Sequence, residues 1–270
     1  MNIEEARRAL QSAIGKAVGS FDKKNGELAY LAMTSKCEHA VRDRIAMELH
    51  KNSSSDYLTG REYRLPLKLK KVYLSRAEER WRVVDRVDPS GVGNRLKGGL
   101  NSPAGAIGVK GCMDLAVLSS DGNAILLVET KAEYTFDSRF LHKEGKPYFG
   151  AGMQRGIELD LLRSRCFAEA LDIDPRRCFV LVFVFDATYG GVDGPDEWKR
   201  LSPVIAYEAR HREHISNRNT CQIGEFIANL ATKSEIFGAV NEIELPTGRF
   251  EAGNAFGFDV TMDAHLLQLA

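Results

Sequence analysis

The sequence predicts a single α/β domain, on three observations. Residues 113–132 read as a β-hairpin with Asp121-Gly122 at its turn. Phe179 to Phe185 is an unbroken apolar run, as in a strand buried on both faces. Apolar residues at helical spacing flank both. A chain of 270 residues with 44% hydrophobic residues can bury a sizeable core.

Taken in order, Ile3, Ala6, Leu10, Ile14, Ala17 and Val18 predict a first helix over residues 3–19, stopped by Gly19. Ser35 and Glu38 make an S-x-x-E capping box, and Cys37, Val41, Ile45 and Leu49 form the apolar stripe of a second helix reaching Lys51. Over residues 61–87, Val72 and Leu74 alternate with Lys71 and Tyr73, and Trp81, Val83 and Val84 follow. One or two strands are expected there. Six glycines and two prolines over residues 88–110 predict a long loop. Met113–Leu118 and Ala124–Ala132 are the hairpin strands. Met153, Ile157, Leu161 and Leu162 predict a helix over 151–170, and residues 222–231 another. The tail from Ile243 reads as short strands. The expected division is a core over about 35–190, an N-terminal helix over 1–20 and a C-terminal extension over 191–270.

Composition bounds the function. Lys+Arg and Asp+Glu are both 37, so the global charge predicts no polyanion partner. There is no apolar run of transmembrane length and no secretory signal at the start, so no membrane association is expected. Five widely spaced cysteines without a CxxC predict a reduced, cytoplasmic protein with buried thiols rather than a zinc site.

The chemistry-bearing residues are Asp114, Glu129 and Lys131. Side chains at i and i+2 of a strand share a face, so Glu129 and Lys131 point together and Thr130 points into the opposite layer. The turn at Asp121-Gly122 sets Asp114 opposite about residue 129. Two carboxylates brought together repel unless a cation lies between them. Mg²⁺ suits such a pair, with Mn²⁺ as a substitute, because it is held by one or two carboxylates and phosphate oxygens. It activates water and stabilises phosphoryl charge, and a neighbouring lysine can orient that water or stabilise the transition state. Hydrolysis of a phosphodiester is the implied reaction.

Asp114, fourteen intervening residues, then Val-Glu129-Thr130-Lys131-Ala resembles the PD-(D/E)xK nucleases, the restriction-endonuclease-like superfamily. Glu38, with Arg42 one turn on, resembles its N-terminal helix motif, and Gln154 resembles the glutamine of its exonuclease and restriction branches. The likeness spans about residues 35–186. It implies an α-β-β-β-α-β core with a mixed central sheet flanked by helices, and Mg²⁺-dependent cleavage of DNA. Asp114 and Glu129 would be metal ligands, Lys131 the catalytic lysine, and Gln154 a further site residue. Met113 replaces the motif's proline. Glu38 is far from Asp114 in sequence, and Glu48 is the alternative ligand. The two are about 80° apart on an ideal helix, so only one should face the site.

Residues 61–97 hold eleven Lys/Arg against five acidic residues, whereas residues 222–270 hold two against seven. Arg64, Lys68, Lys70, Lys71, Arg95 and Lys97 are therefore candidate contacts to a phosphate backbone. Arg210, His211, His214 and Arg218 suit a polar surface stretch better than a metal site. Tyr134, Phe136, Phe140, Tyr148 and Phe149 could stack on a base but suit loop packing better. The expected partner is DNA, double-stranded, cut by an endonuclease of restriction or defence type. A homodimer would supply the two sites a duplex cutter needs. A repair nuclease or exonuclease, and a non-catalytic nucleic-acid-binding module, are the alternatives.

Overall fold

The computed structural model describes residues 1–34, 37–52, 57–97, 112–134, 151–189 and 221–270. Among them, three helices open the chain: α1 (Ile3–Gly19), α2 (Glu27–Thr34) and α3 (Glu38–Asn52). Asn2 caps α1 by accepting from the Glu5 amide while the Glu5 carboxylate accepts from the Asn2 amide. Strand β1 (Tyr57–Arg64) leads into α4 (Leu67–Val87) and α5 (Val92–Lys97). The hairpin is β2 (Cys112–Ser119) and β3 (Ala124–Tyr134), followed by α6 (Ala151–Leu171) and β4 (Cys178–Tyr189). The C-terminal part contains α7 (Cys221–Ala231), α8 (Ser234–Phe237), β5 (Val240–Ile243), β6 (Arg249–Ala255) and β7 (Phe258–Leu269).

The seven strands form one mixed sheet in the order β1-β2-β3-β4-β7-β5, with β6 also paired to β7. Among the described residues, only β3 and β4 run parallel, with α6 between them in the chain. Alternation along β4 divides the core. Phe179, Leu181, Phe183 and Phe185 pack with α1, α2 and α3, while Cys178, Val180, Val182 and Val184 pack with α4, α6 and α7. The mixed α/β architecture with a sheet between helix layers is thus present.

The structure differs from the sequence reading at several elements. Residues 67–87 are a helix, not strands: Tyr73, Ala77, Trp81 and Val84 are its buried stripe at 3.6-residue period, and Pro66 sets its start. The Val72/Leu74 alternation that suggested a strand lies on exposed positions. The expected loop after residue 88 contains α5, whose start is held by the Asp88 carboxylate accepting from the Gly91 and Val92 amides. Within the expected C-terminal extension, β7 joins the sheet, paired with β4 from Phe179 to Tyr189. The short helix α2 was not expected. The capping box expected of Ser35 and Glu38 falls partly outside the described residues, since Ser35 does; the Glu38 carboxylate accepts from the Ala132 amide on β3, at 3.0 Å.

Candidate active site

The hairpin register is the expected one, with Leu115 opposite Val128 and Ala116 opposite Leu127. The ladder ends at Leu115, so Asp114 and Glu129 occupy the next position, where the strands part. On the other side, pairing with β1 passes from Arg61↔Leu115 to Tyr63↔Met113. Between them Glu62 has φ 53, a left-handed conformation costing a non-glycine residue about 1 kcal/mol or more. Asp114 therefore sits where the sheet opens.

The faces of β3 then sort the site. Thr130 turns toward α3, and its hydroxyl and amide both donate to Asp114 Oδ2 at 2.8 Å. Arg42, buried on α3, reaches Asp114 Oδ1 at 3.5 Å and Asp43 at 3.2 Å. A cleft of about 390 Å³ lined by Arg42, Arg61 and Glu62 adjoins this side. Glu38 also comes from α3, through its bond to Ala132.

Glu129 and Lys131 turn toward α6. Gly156 makes room for the lysine, since a Cβ there would lie 2.8 Å from Lys131 Cε. Glu129 is buried, and its Oε1 has no hydrogen-bond partner. Burial, then the nearby carboxylates of Asp160 and Asp114, push its carboxyl well above the usual range. Asp160 on α6 is buried too, and burial raises it to about 6 although Arg163 and Lys131 oppose the shift. Arg163 Nη1 donates to Asp160 Oδ1 at 2.8 Å. Burial pulls the Lys131 ammonium down, but Asp160, Glu38 and Glu133 more than offset it, so its pKa lies above the ordinary lysine value.

Sequence reasoning missed Asp160 and Arg163. The one available signal was a charged i,i+3 pair beside the apolar stripe of Ile157 and Leu161. Of the other expected residues, Gln154 lies half-buried in the first turn of α6. Glu48 pairs with Lys51 at 2.6 Å, so Glu38 is the acidic residue of α3 that reaches β3. Arg95 makes a two-pronged contact with the fully buried Glu158, and Lys97 pairs with Asp85, so both are tied into the scaffold. Arg64, Lys68, Lys70 and Lys71 are exposed. Tyr134 is occupied by packing on Phe185 and by its hydroxyl at Cys37. Phe136, Phe140, Tyr148, Phe149, Arg210, His211, His214 and Arg218 lie outside the described residues.

Among the described residues, no group of three His, Cys, Asp or Glu side chains is gathered to hold a metal ion. The donor chemistry nonetheless fits a divalent cation held by two carboxylates. Five carboxyl groups (Glu38, Asp114, Glu129, Glu133, Asp160) meet three cations (Arg42, Lys131, Arg163), an excess of two negative charges if all ionise. The orphaned Glu129 Oε1 supplies an unsatisfied acceptor. Water and phosphate oxygens commonly complete the shell of Mg²⁺.

No family model, curated protein or solved structure matches this chain. Among the described residues, no helix is long and apolar enough to cross a membrane.

Proposed function

We propose that this chain is a Mg²⁺-dependent deoxyribonuclease with a restriction-endonuclease-like core, acting as a restriction or defence-type endonuclease on duplex DNA. One observation carries the reading. Asp114 and Glu129 lie within electrostatic reach of each other where the β2–β3 ladder ends, Lys131 follows Glu129 on the same face of β3, and the buried Glu129 Oε1 is left without a partner. A purely structural carboxylate at that depth would be expected to have its hydrogen bonds made.

Asp114 and Glu129 would hold the cation, which when bound offsets charge on the phosphoryl oxygens and favours ionisation of the attacking water. Thr130 fixes the Asp114 carboxylate through two hydrogen bonds, leaving Oδ1 as its less engaged oxygen. Glu38 holds the β3 backbone at Ala132. Lys131, two residues on from Glu129 along the same face of β3, carries an ammonium kept charged by Asp160, Glu38 and Glu133. It would orient the attacking water and stabilise charge on the phosphoryl group. The water oxygen bonds to phosphorus, one bridging P–O bond breaks, and the departing oxygen takes up a proton through solvent.

The test is incubation of the purified chain with supercoiled plasmid and linear duplex, in Mg²⁺, Mn²⁺ or EDTA, beside Lys131→Ala. Metal-dependent cleavage that the variant loses is the expected result. Cleavage that survives in EDTA or in the variant would overturn the mechanism. Discrete fragments would mark a sequence-selective endonuclease; shortening from the ends would mark an exonuclease. Salt-sensitive binding without cleavage under any of these conditions would favour a binding module.

A further inference from the structure

The first two turns of α4 are charged in a way that the nuclease site does not account for. Arg64, Lys68, Lys70 and Lys71 are exposed, and among the described residues none makes an ion pair or hydrogen bond. Of the later cations, Arg76 pairs with Glu79, Arg80 with Glu169, Arg95 with Glu158 and Lys97 with Asp85, while Arg82 and Arg86 are exposed without an ion pair among the described residues and lie apart from the cluster. No acidic residue occurs in the first turn of α4, and Pro66 offers no side-chain cap. Lysines clustered at the positive end of a helix dipole repel it, so the arrangement favours countercharge from outside the chain.

Apolar exposure accompanies the charge. Leu67 is 81% exposed and Leu74 44%. Seven residues apart, they share one flank of α4 with Lys70 and Lys71 between them. The adjoining flank of the same turns carries Tyr73, buried within the electrostatic reach of Arg163 and Glu129. The exposed face therefore starts beside the candidate site.

We infer that this face docks a DNA strand, with Arg64, Lys68, Lys70 and Lys71 on phosphates and Leu67 and Leu74 against deoxyribose and base edges. The inference rests on the nuclease reading, which places a phosphodiester at the neighbouring carboxylates. Charge complementarity selects a polyanion, and the adjacent site selects DNA over an anionic membrane. Phosphate contacts make affinity fall with salt, whereas aliphatic contacts contribute a part that salt does not screen.

The test uses the full chain in EDTA, so that binding is read without cleavage. Anisotropy of a labelled duplex is followed across a salt series. Lys68→Gln/Lys70→Gln/Lys71→Gln should flatten the slope of log K against log salt by roughly two to three units, at about 0.9 per phosphate released. Leu67→Ser/Leu74→Ser should weaken binding roughly tenfold at every salt concentration and leave the slope alone. Circular dichroism checks that both variants fold. Wild-type binding in both variants would overturn the inference while leaving metal-dependent cleavage to stand. Binding lost in the variants, in a protein that never cuts DNA, would uphold the face and remove the nuclease. Attachment to phosphatidylserine vesicles but not to the duplex would overturn the DNA assignment.

Discussion

The two faces of β3 carry similar residue types in opposite conditions. Toward α3, both carboxylates have a donor: Thr130 and Arg42 serve Asp114, and the Ala132 amide serves Glu38. Toward α6, Glu129 keeps an unpartnered oxygen, and both Glu129 and Asp160 hold their protons more tightly than a free carboxyl. The first face is satisfied by the protein; the second keeps an acceptor without a partner and carboxyls that hold their protons. The proposed metal-dependent cleavage assigns the cation to that second face.

The largest effect should come from the unsatisfied face. Lys131→Ala is expected to slow cleavage by roughly 10²–10⁴-fold, the scale of one positioned catalytic group. DNA affinity in EDTA should be little changed. Turnover at the wild-type rate would take the lysine out of the mechanism and leave the contrast between the faces purely structural.

Stability against pH should show the next effect. The folded-state pKa of Asp160 is about 6, above its unfolded value near 3.8, so the native state binds its proton more tightly. That contribution is complete below about pH 4 and is lost as pH rises toward and through 6. A shift of about two units corresponds to at most about 3 kcal/mol. In urea melts with EDTA present, Asp160→Asn should flatten this decline, with Glu129 supplying what remains because its shift has the same sign. An unchanged pH profile would show that Asp160 does not carry this charge.

How much of this was legible depended on sequence distance. The hairpin could be read to within a residue or two, because the Asp121-Gly122 turn sets which residues of its two strands face each other. Glu129 and Lys131 followed from their separation by two. Asp160 and Arg163 could not be placed, because only the crossover through α6 brings them over β3. Helix α4 was misread because exposed Val72 and Leu74 imitate a strand, while its real stripe begins at Tyr73 and runs through residues three or four apart. The long C-terminal strand β7 was read as short pieces because its pairing partner β4 is distant in sequence.

A smaller effect belongs to the satisfied face. Thr130→Val removes the hydroxyl bond to Asp114 but keeps the amide bond, so a loss of about 1 kcal/mol in stability is expected. Cleavage should fall far less than in Lys131→Ala. A loss of activity matching Lys131→Ala would mean that Asp114 is as finely poised as Glu129, and the two faces would no longer differ in kind.

The smallest effect separates the two glutamates of α3. Glu48→Gln interrupts a surface pair with Lys51, so stability should move by no more than about 0.5 kcal/mol and cleavage should not move. Glu38→Gln retains an oxygen for the Ala132 amide and should also fold normally, yet it removes one negative charge near Lys131 and Asp160. If Glu38 serves only to hold β3, the two variants will cut alike. If it also tunes the site, Glu38→Gln alone will need more Mg²⁺ for half-maximal cleavage. A raised Mg²⁺ requirement in Glu48→Gln instead would reverse the assignment and put the other side of α3 toward the chemistry.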